Sequence, residues 1–82
     1  MSVPAGRTRR EDSPYREQAA ALAARLRHAR TNIGYTQEQL AVQAGVAVST
    51  LRKIEDGRVV EPGYFTVLAL ATALGLSLSD LA

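Results

Sequence analysis

Residue types that support catalysis or metal binding are scarce in this 82-residue sequence. It contains no cysteine, which excludes disulfides and cysteine-ligated zinc or iron–sulfur sites, and His28 is its single histidine. A general base needs a nucleophile beside it, and the sequence places none next to His28, which we interpret as a surface residue of the first helix. We therefore expect no enzymatic activity, no metal site and no cofactor.

The chemistry that remains is that of charged side chains, and these are unevenly distributed. Ten Lys and Arg residues against eight Asp and Glu give a formal net charge of +2, too little by itself to indicate a nucleic-acid partner. All ten basic residues lie within residues 1–58, which carry a net charge of +4, whereas residues 59–82 carry two acids and no base. We expect the two parts of the chain to have different roles.

The amino-acid composition excludes a disordered chain and a membrane-spanning protein. Apolar residues make up 46% of the sequence, which is ordinary for a globular domain and too many for a disordered chain. No apolar run approaches the roughly 18 residues that a membrane span needs, and the Arg-rich N-terminus is unlike a secretory signal. We expect one small cytoplasmic domain without a membrane partner.

The chain is predicted to be a basic N-terminal arm followed by an all-α domain. Residues 1–14 hold two of the three prolines and no apolar periodicity, so they are expected to be flexible, either a solvated tail or a contact with nucleic acid; the domain covers residues 15–82. Thr36 and Gln39 have the spacing of a capping box, and Pro62 suits a helix start. The five predicted helices cover residues 15–33, 36–44, about 47–56, about 62–74 and a short segment from 77, and the first four end at Gly34, Gly45, Gly57 and Gly75.

Residues 36–56 have the pattern of two short helices joined by a tight turn. Ala41 is small enough for a close helix crossing, Gly45 adopts a left-handed conformation at no steric cost, and Val46 follows as an apolar plug. This pattern is typical of a helix-turn-helix, whose second helix fits the major groove of DNA.

Three segments resemble a known family, the lambda-repressor/Cro-like or Xre-type helix-turn-helix regulators. They are LRHARTNIGYTQEQLAVQAGV (26–46), STLRKIEDGR (49–58) and EPGYFTVLALATALGLSLSDL (61–81). The resemblance covers about residues 20–82 and implies a five-helix lambda-repressor-like DNA-binding domain.

The resemblance also implies which residues contact double-stranded DNA. Thr36 and Gln37 would bind a phosphate at a helix N-terminus, and Arg58 would neutralise another. On the recognition helix, Lys53 could donate to guanine O6 or N7, and Ser49, four residues earlier on the same face, to a base edge or phosphate. The implied exposed face consists of Val48, Ser49, Thr50, Arg52 and Lys53. Arg30 and Glu55 would form a structural ion pair between the first and third helices.

The sequence departs from the family pattern at three positions. Ala47 replaces the usual Ser or Thr that caps the recognition helix, which costs about 0.5–2 kcal/mol. Asp56 replaces a frequent asparagine and would repel phosphate, and Val48 replaces a residue that is often polar, although its methyl groups could contact a thymine methyl. The apolar Val48 weakens the expected direct reading of bases, and Asp56 is left out of the expected site.

The fourth helix is expected to meet a second copy of the chain. In the segment YFTVLALATALG only two threonines are polar, and such a helix must be covered on more than one side. Burial within a single chain is the alternative. The residues assigned to a dimer interface are Leu70, Leu76, Leu78 and Leu81.

The sequence thus predicts a homodimeric, sequence-specific transcriptional regulator that binds a pseudo-palindromic operator of double-stranded DNA. The alternative is a helix-turn-helix-shaped module that binds a protein, as an antitoxin does, with weak or no DNA binding. Since no ligand-sensing domain is expected, control would come from the regulator's concentration or an unidentified protein partner. A phage-type repressor, a restriction–modification controller and a DNA-binding antitoxin all fit.

Overall fold

The computed structural model describes residues 14–81, and within this range the chain forms five helices and no strand. The predicted all-α, five-helix architecture is confirmed for this part of the chain. The arm predicted for residues 1–14 lies outside the described residues except for Pro14. None of the described helices has both the length and the apolarity to cross a membrane. The helices are α1 (Arg16–Ile33), α2 (Gln37–Ala44), α3 (Val48–Glu55), α4 (Tyr64–Leu74) and α5 (Leu78–Leu81).

The start and end of α2 follow from local sequence. Thr36 Oγ1 accepts a hydrogen bond from the Gln39 backbone N–H at 3.0 Å, and Gln39 Oε1 accepts one from the Thr36 N–H at 2.8 Å, which completes the predicted capping box. At the other end, Gly45 has a φ of +73°, where a side chain would be strained. This turn brings the chain directly into α3.

Packing of the helices fixes the relative position of α2 and α3. The helix α1 packs against α3, α4 and α5, and α2 packs against both α3 and α4. Ala41, expected at a close helix crossing, is buried in the core. The core cluster consists of Leu26, Leu40, Ala41, Leu51, Ile54, Leu70, Ala71, Leu74 and Leu81.

Two of the four residues assigned to a dimer interface belong instead to this core. Leu70 is 0% exposed and Leu81 is 3% exposed within the single chain, so neither is available to a partner, and their assignment to an interface was wrong. Leu76 and Leu78 are half-buried and pack against the core. A single chain thus buries more of its apolar C-terminal surface than the sequence suggested.

Helix boundaries differ from the predicted ones by one or two residues. The fourth helix begins at Tyr64 rather than near Pro62, because Gly63 has extended backbone angles (φ −62°, ψ 145°) and precedes the first helical residue. The last helix begins at Leu78, with the Ser77 N–H donating to the Asp80 carboxylate at 2.9 Å just before it. These differences leave the helix order unchanged.

Ala47 precedes α3 in extended conformation and supplies no side-chain cap. Ser at this position accepts a hydrogen bond from a first-turn N–H, so Ala47→Ser is expected to raise the free energy of unfolding by about 0.5–2 kcal/mol. Urea denaturation measures the change. The matched control is Ala24→Ser on the exposed side of α1, which introduces the same hydroxyl inside a helix and is not expected to stabilise. Equal effects of the two substitutions would contradict the capping explanation.

Candidate nucleic-acid interface

The helix α3 has one buried and one exposed side. Leu51, Ile54 and Glu55 are buried, whereas Ser49, Arg52 and Lys53 are exposed. The predicted outward face is therefore partly realised: Val48 and Thr50 are half-buried, and Val48 packs against the core. The side chains best placed to contact a ligand are a hydroxyl, a guanidinium and an ammonium group, all of which donate hydrogen bonds.

The buried side of α3 ends in the carboxylate of Glu55, which is 1% exposed. Arg30 of α1 donates to it twice, from Nε to Oε2 at 2.8 Å and from Nη2 to Oε1 at 2.9 Å. These are the partners that the sequence suggested for a structural ion pair. The pKa of Arg30 is raised by its hydrogen bonds to Glu55. Since a buried charge is costly without a partner, this paired geometry is needed to keep Glu55 inside the protein.

Gln37 connects the first turn of α2 to the same carboxylate. Its Nε2 donates to Glu55 Oε1 at 3.0 Å, and the side chain is half-buried. The predicted phosphate-binding amide is thus held in place by α3. Because an amide group carries two N–H donors, this bond leaves a second donor for another partner.

Backbone donors at the start of α2 are partly used within the chain. The Gln39 N–H bonds to the Thr36 hydroxyl, so Thr36 acts as a helix cap, and the Thr36 N–H bonds to the Gln39 side chain. A phosphate at this helix end would meet the Glu38 carboxylate as well as the positive end of the helix dipole. The anion-binding capacity expected here is consequently reduced.

A second basic contact joins α1 to the end of α3. Arg27 Nη1 donates to the backbone carbonyl of Glu55, in the last turn of α3. A cation at a helix C-terminus satisfies an unpaired carbonyl and favours the helix dipole. Together with Arg30, Arg27 anchors the C-terminal end of α3 to α1.

Two of the three exposed cations assigned to DNA form ion pairs. Arg52 Nη2 lies 2.6 Å from Glu38 Oε2, and Arg58 Nη2 lies 3.0 Å from Asp56 Oδ2. Hydrogen bonding to its own backbone, and then the nearby Arg52, lower the pKa of Glu38. The side chain of Lys53 forms no hydrogen bond or ion pair within residues 14–81.

Sequence reasoning missed four of these contacts: Gln37 with Glu55, Glu38 with Arg52, Arg58 with Asp56, and Arg27 with the Glu55 carbonyl. The first two join residues 18 and 14 positions apart, on different helices, so no helical spacing rule identifies them. Opposite charges two residues apart offered a signal for the third pair.

Comparison with known proteins identifies a family model and solved structures that are similar to this chain. A family model described as a helix-turn-helix domain matches residues 21–82. The crystal structure of the restriction-modification controller protein C.AhdI from Aeromonas hydrophila is 32% identical and covers 80% of this chain and 98% of its own, with a TM-score of 0.76. The hypothetical transcription factor NHTF from Neisseria is 29% identical over 98% of this chain and 85% of its own, with a TM-score of 0.74. Comparison with curated protein sequences gives no significant match.

Proposed function

Because the chain belongs to the helix-turn-helix domain family, with a lambda-repressor-like fold, we propose that it is a sequence-specific regulator of transcription that binds double-stranded DNA. The observation that carries this proposal is the orientation of α3. This helix exposes Ser49 and Lys53 on one face while Glu55, on its other side, connects it to Arg30 and Gln37. An anchored helix with exposed donors is what reading a major groove requires.

Each exposed donor has a proposed role. Lys53 donates to guanine O6 or N7, and Ser49 donates to a base edge or a phosphate. Arg52, Arg58 and the second N–H of Gln37 contact phosphates on either side, with Thr36 ordering the start of α2. Thr50 and Val48 lie closer to the core, so Val48 contributes at most an apolar contact with a thymine methyl.

We further propose that the regulator acts as a homodimer in the cytoplasm. The C-terminal part leaves apolar groups accessible to a second copy: Tyr64 is 60% exposed and Phe65 is 78% exposed at the start of α4. The half-buried Leu76 and Leu78 remain candidates for the same surface. Two copies would present two recognition helices to half-sites about one helical turn, roughly 34 Å, apart.

Replacing Phe65 with glutamate is expected to shift the protein from dimer to monomer, because it would place a charge in an apolar interface. Sedimentation equilibrium at micromolar concentration measures the change. Val42→Glu is the matched control, since Val42 is 77% exposed on α2, and its replacement is not expected to affect assembly. A monomeric wild-type protein, with and without DNA, would contradict the proposed dimer.

Selection from a pool of random duplexes at about 0.1 M salt tests the function. The proposal predicts enrichment of a pseudo-palindromic motif whose half-sites are separated by about one helical turn. No enriched motif would reject sequence-specific regulation and favour the alternative, a protein-interaction module in which Asp56 and Glu38 disfavour phosphate.

A further inference from the structure

The exposed cations of the candidate interface differ in whether a carboxylate neutralises their charge. Arg52 of α3 is paired with Glu38 of α2, whereas the ammonium group of Lys53, the next residue along α3, has no partner within the described part of the chain. The side chains of Arg52 and Glu38 are 48% and 63% exposed. Adjacent cations on one helix therefore differ in their capacity to attract a phosphate.

The fold does not need the Glu38–Arg52 pair for its stability. Exposed ion pairs contribute little to folding, and α2 is already joined to α3 by the core and by the bond from Gln37 to Glu55. The local consequence is electrostatic: a carboxylate 2.6 Å from a guanidinium cancels much of its attraction for a polyanion. Sequence-independent binding to DNA depends on such cations neutralising phosphates.

We propose, on the basis of the proposed function, that Glu38 determines specificity. Its carboxylate neutralises the positive charge of Arg52 and thereby weakens binding to random DNA. Specificity is the difference between the affinities for the correct and the incorrect site. A random duplex is bound through phosphates alone, so Arg52 can turn to whichever phosphate is nearest, whereas at the operator Ser49 and Lys53 fix the position of α3. Compensation of Arg52 by Glu38 therefore weakens binding to the random duplex more than binding to the operator. Glu38 acts through Arg52 and is a positioning residue.

Glu38→Gln tests this proposal by removing the charge while keeping the size of the side chain. Affinities for a random duplex and for the selected site are measured between 50 and 200 mM salt. The expected result is a roughly three- to fivefold gain in affinity for the random duplex and a salt dependence steeper by about 0.9 in logarithmic slope, equivalent to one further phosphate contact. The gain for the selected site is expected to be smaller, so the ratio of the two affinities falls. In an Arg52→Ala background, the same substitution is expected to have a clearly smaller effect, because only the direct repulsion between Glu38 and a phosphate then remains.

Glu17→Gln is the matched control, because it makes the same charge change on an exposed residue in the first turn of α1. It is expected to leave the salt slope and the affinity ratio unchanged, and thermal unfolding verifies that each variant is folded. An unchanged slope for Glu38→Gln, or an equal effect with and without Arg52, would overturn the role of Glu38. If the wild-type protein itself selects no DNA motif, the proposed function fails, and that result is distinguishable from failure of this inference alone.

Discussion

Replacing Glu55 with alanine is expected to lower the free energy of unfolding by about 3–5 kcal/mol, the largest effect of any single substitution considered for this protein. The carboxylate is buried and accepts hydrogen bonds from Arg30 and Gln37. Its removal leaves the guanidinium of Arg30, whose side chain is 14% exposed, without an opposite charge. Urea denaturation followed by circular dichroism measures the loss.

Two further variants test whether the loss of stability in Glu55→Ala comes from the unpaired charge of Arg30. Glu55→Gln keeps a hydrogen-bond acceptor and is expected to lose less stability than Glu55→Ala. The double variant Arg30→Met with Glu55→Leu removes both charges and is expected to recover most of the loss, since apolar replacement of a buried pair is often tolerated. A loss below about 1 kcal/mol in Glu55→Ala would show that the buried pair does not hold α1 and α3 together.

Replacing Lys53 with alanine is expected to weaken binding to the selected operator by about 1–3 kcal/mol and to relax the preference at one base pair of each half-site. The side chain of Lys53 is exposed and forms no hydrogen bond or ion pair with the described part of the chain, so the free energy of unfolding is expected to stay unchanged. Fluorescence anisotropy with the operator and with single-base variants of it measures both the affinity and the preference.

The control for Lys53→Ala is Arg16→Ala, which removes one positive charge from an exposed position at the start of α1. It is expected to change operator affinity much less, and equally for all base variants. If Lys53→Ala weakens binding to every sequence by the same factor, Lys53 contacts a phosphate and does not read a base.

Much of the fold was predictable because its signals are local. The capping box of Thr36 and Gln39 gives the start of α2, and the left-handed Gly45 gives its end. The exposure of Ser49 and Lys53 follows from their spacing of four residues, opposite a side that carries Leu51 and Ile54. Each of these features depends on residues close together in the chain.

What could not be predicted depends on contacts between distant residues. The apolar character of α4 did not reveal which side faces the core, and so Leu70 and Leu81 were assigned to an interface although the single chain buries them. The bond from Gln37 to Glu55 depends on how α2 crosses α3. The pairing of Arg52 with Glu38 has the same origin, because its partners come together only after α2 and α3 have packed.

The exposed face of α3 is expected to lie in the major groove of the operator. Dimethyl sulfate modifies guanine N7, which lies in that groove, so methylation protection on the selected duplex tests this placement of α3. This placement predicts protected guanines in both half-sites with the wild-type protein, and loss of protection at one guanine of each half-site with Lys53→Ala. Unprotected guanine N7 atoms throughout a fully bound operator would contradict it.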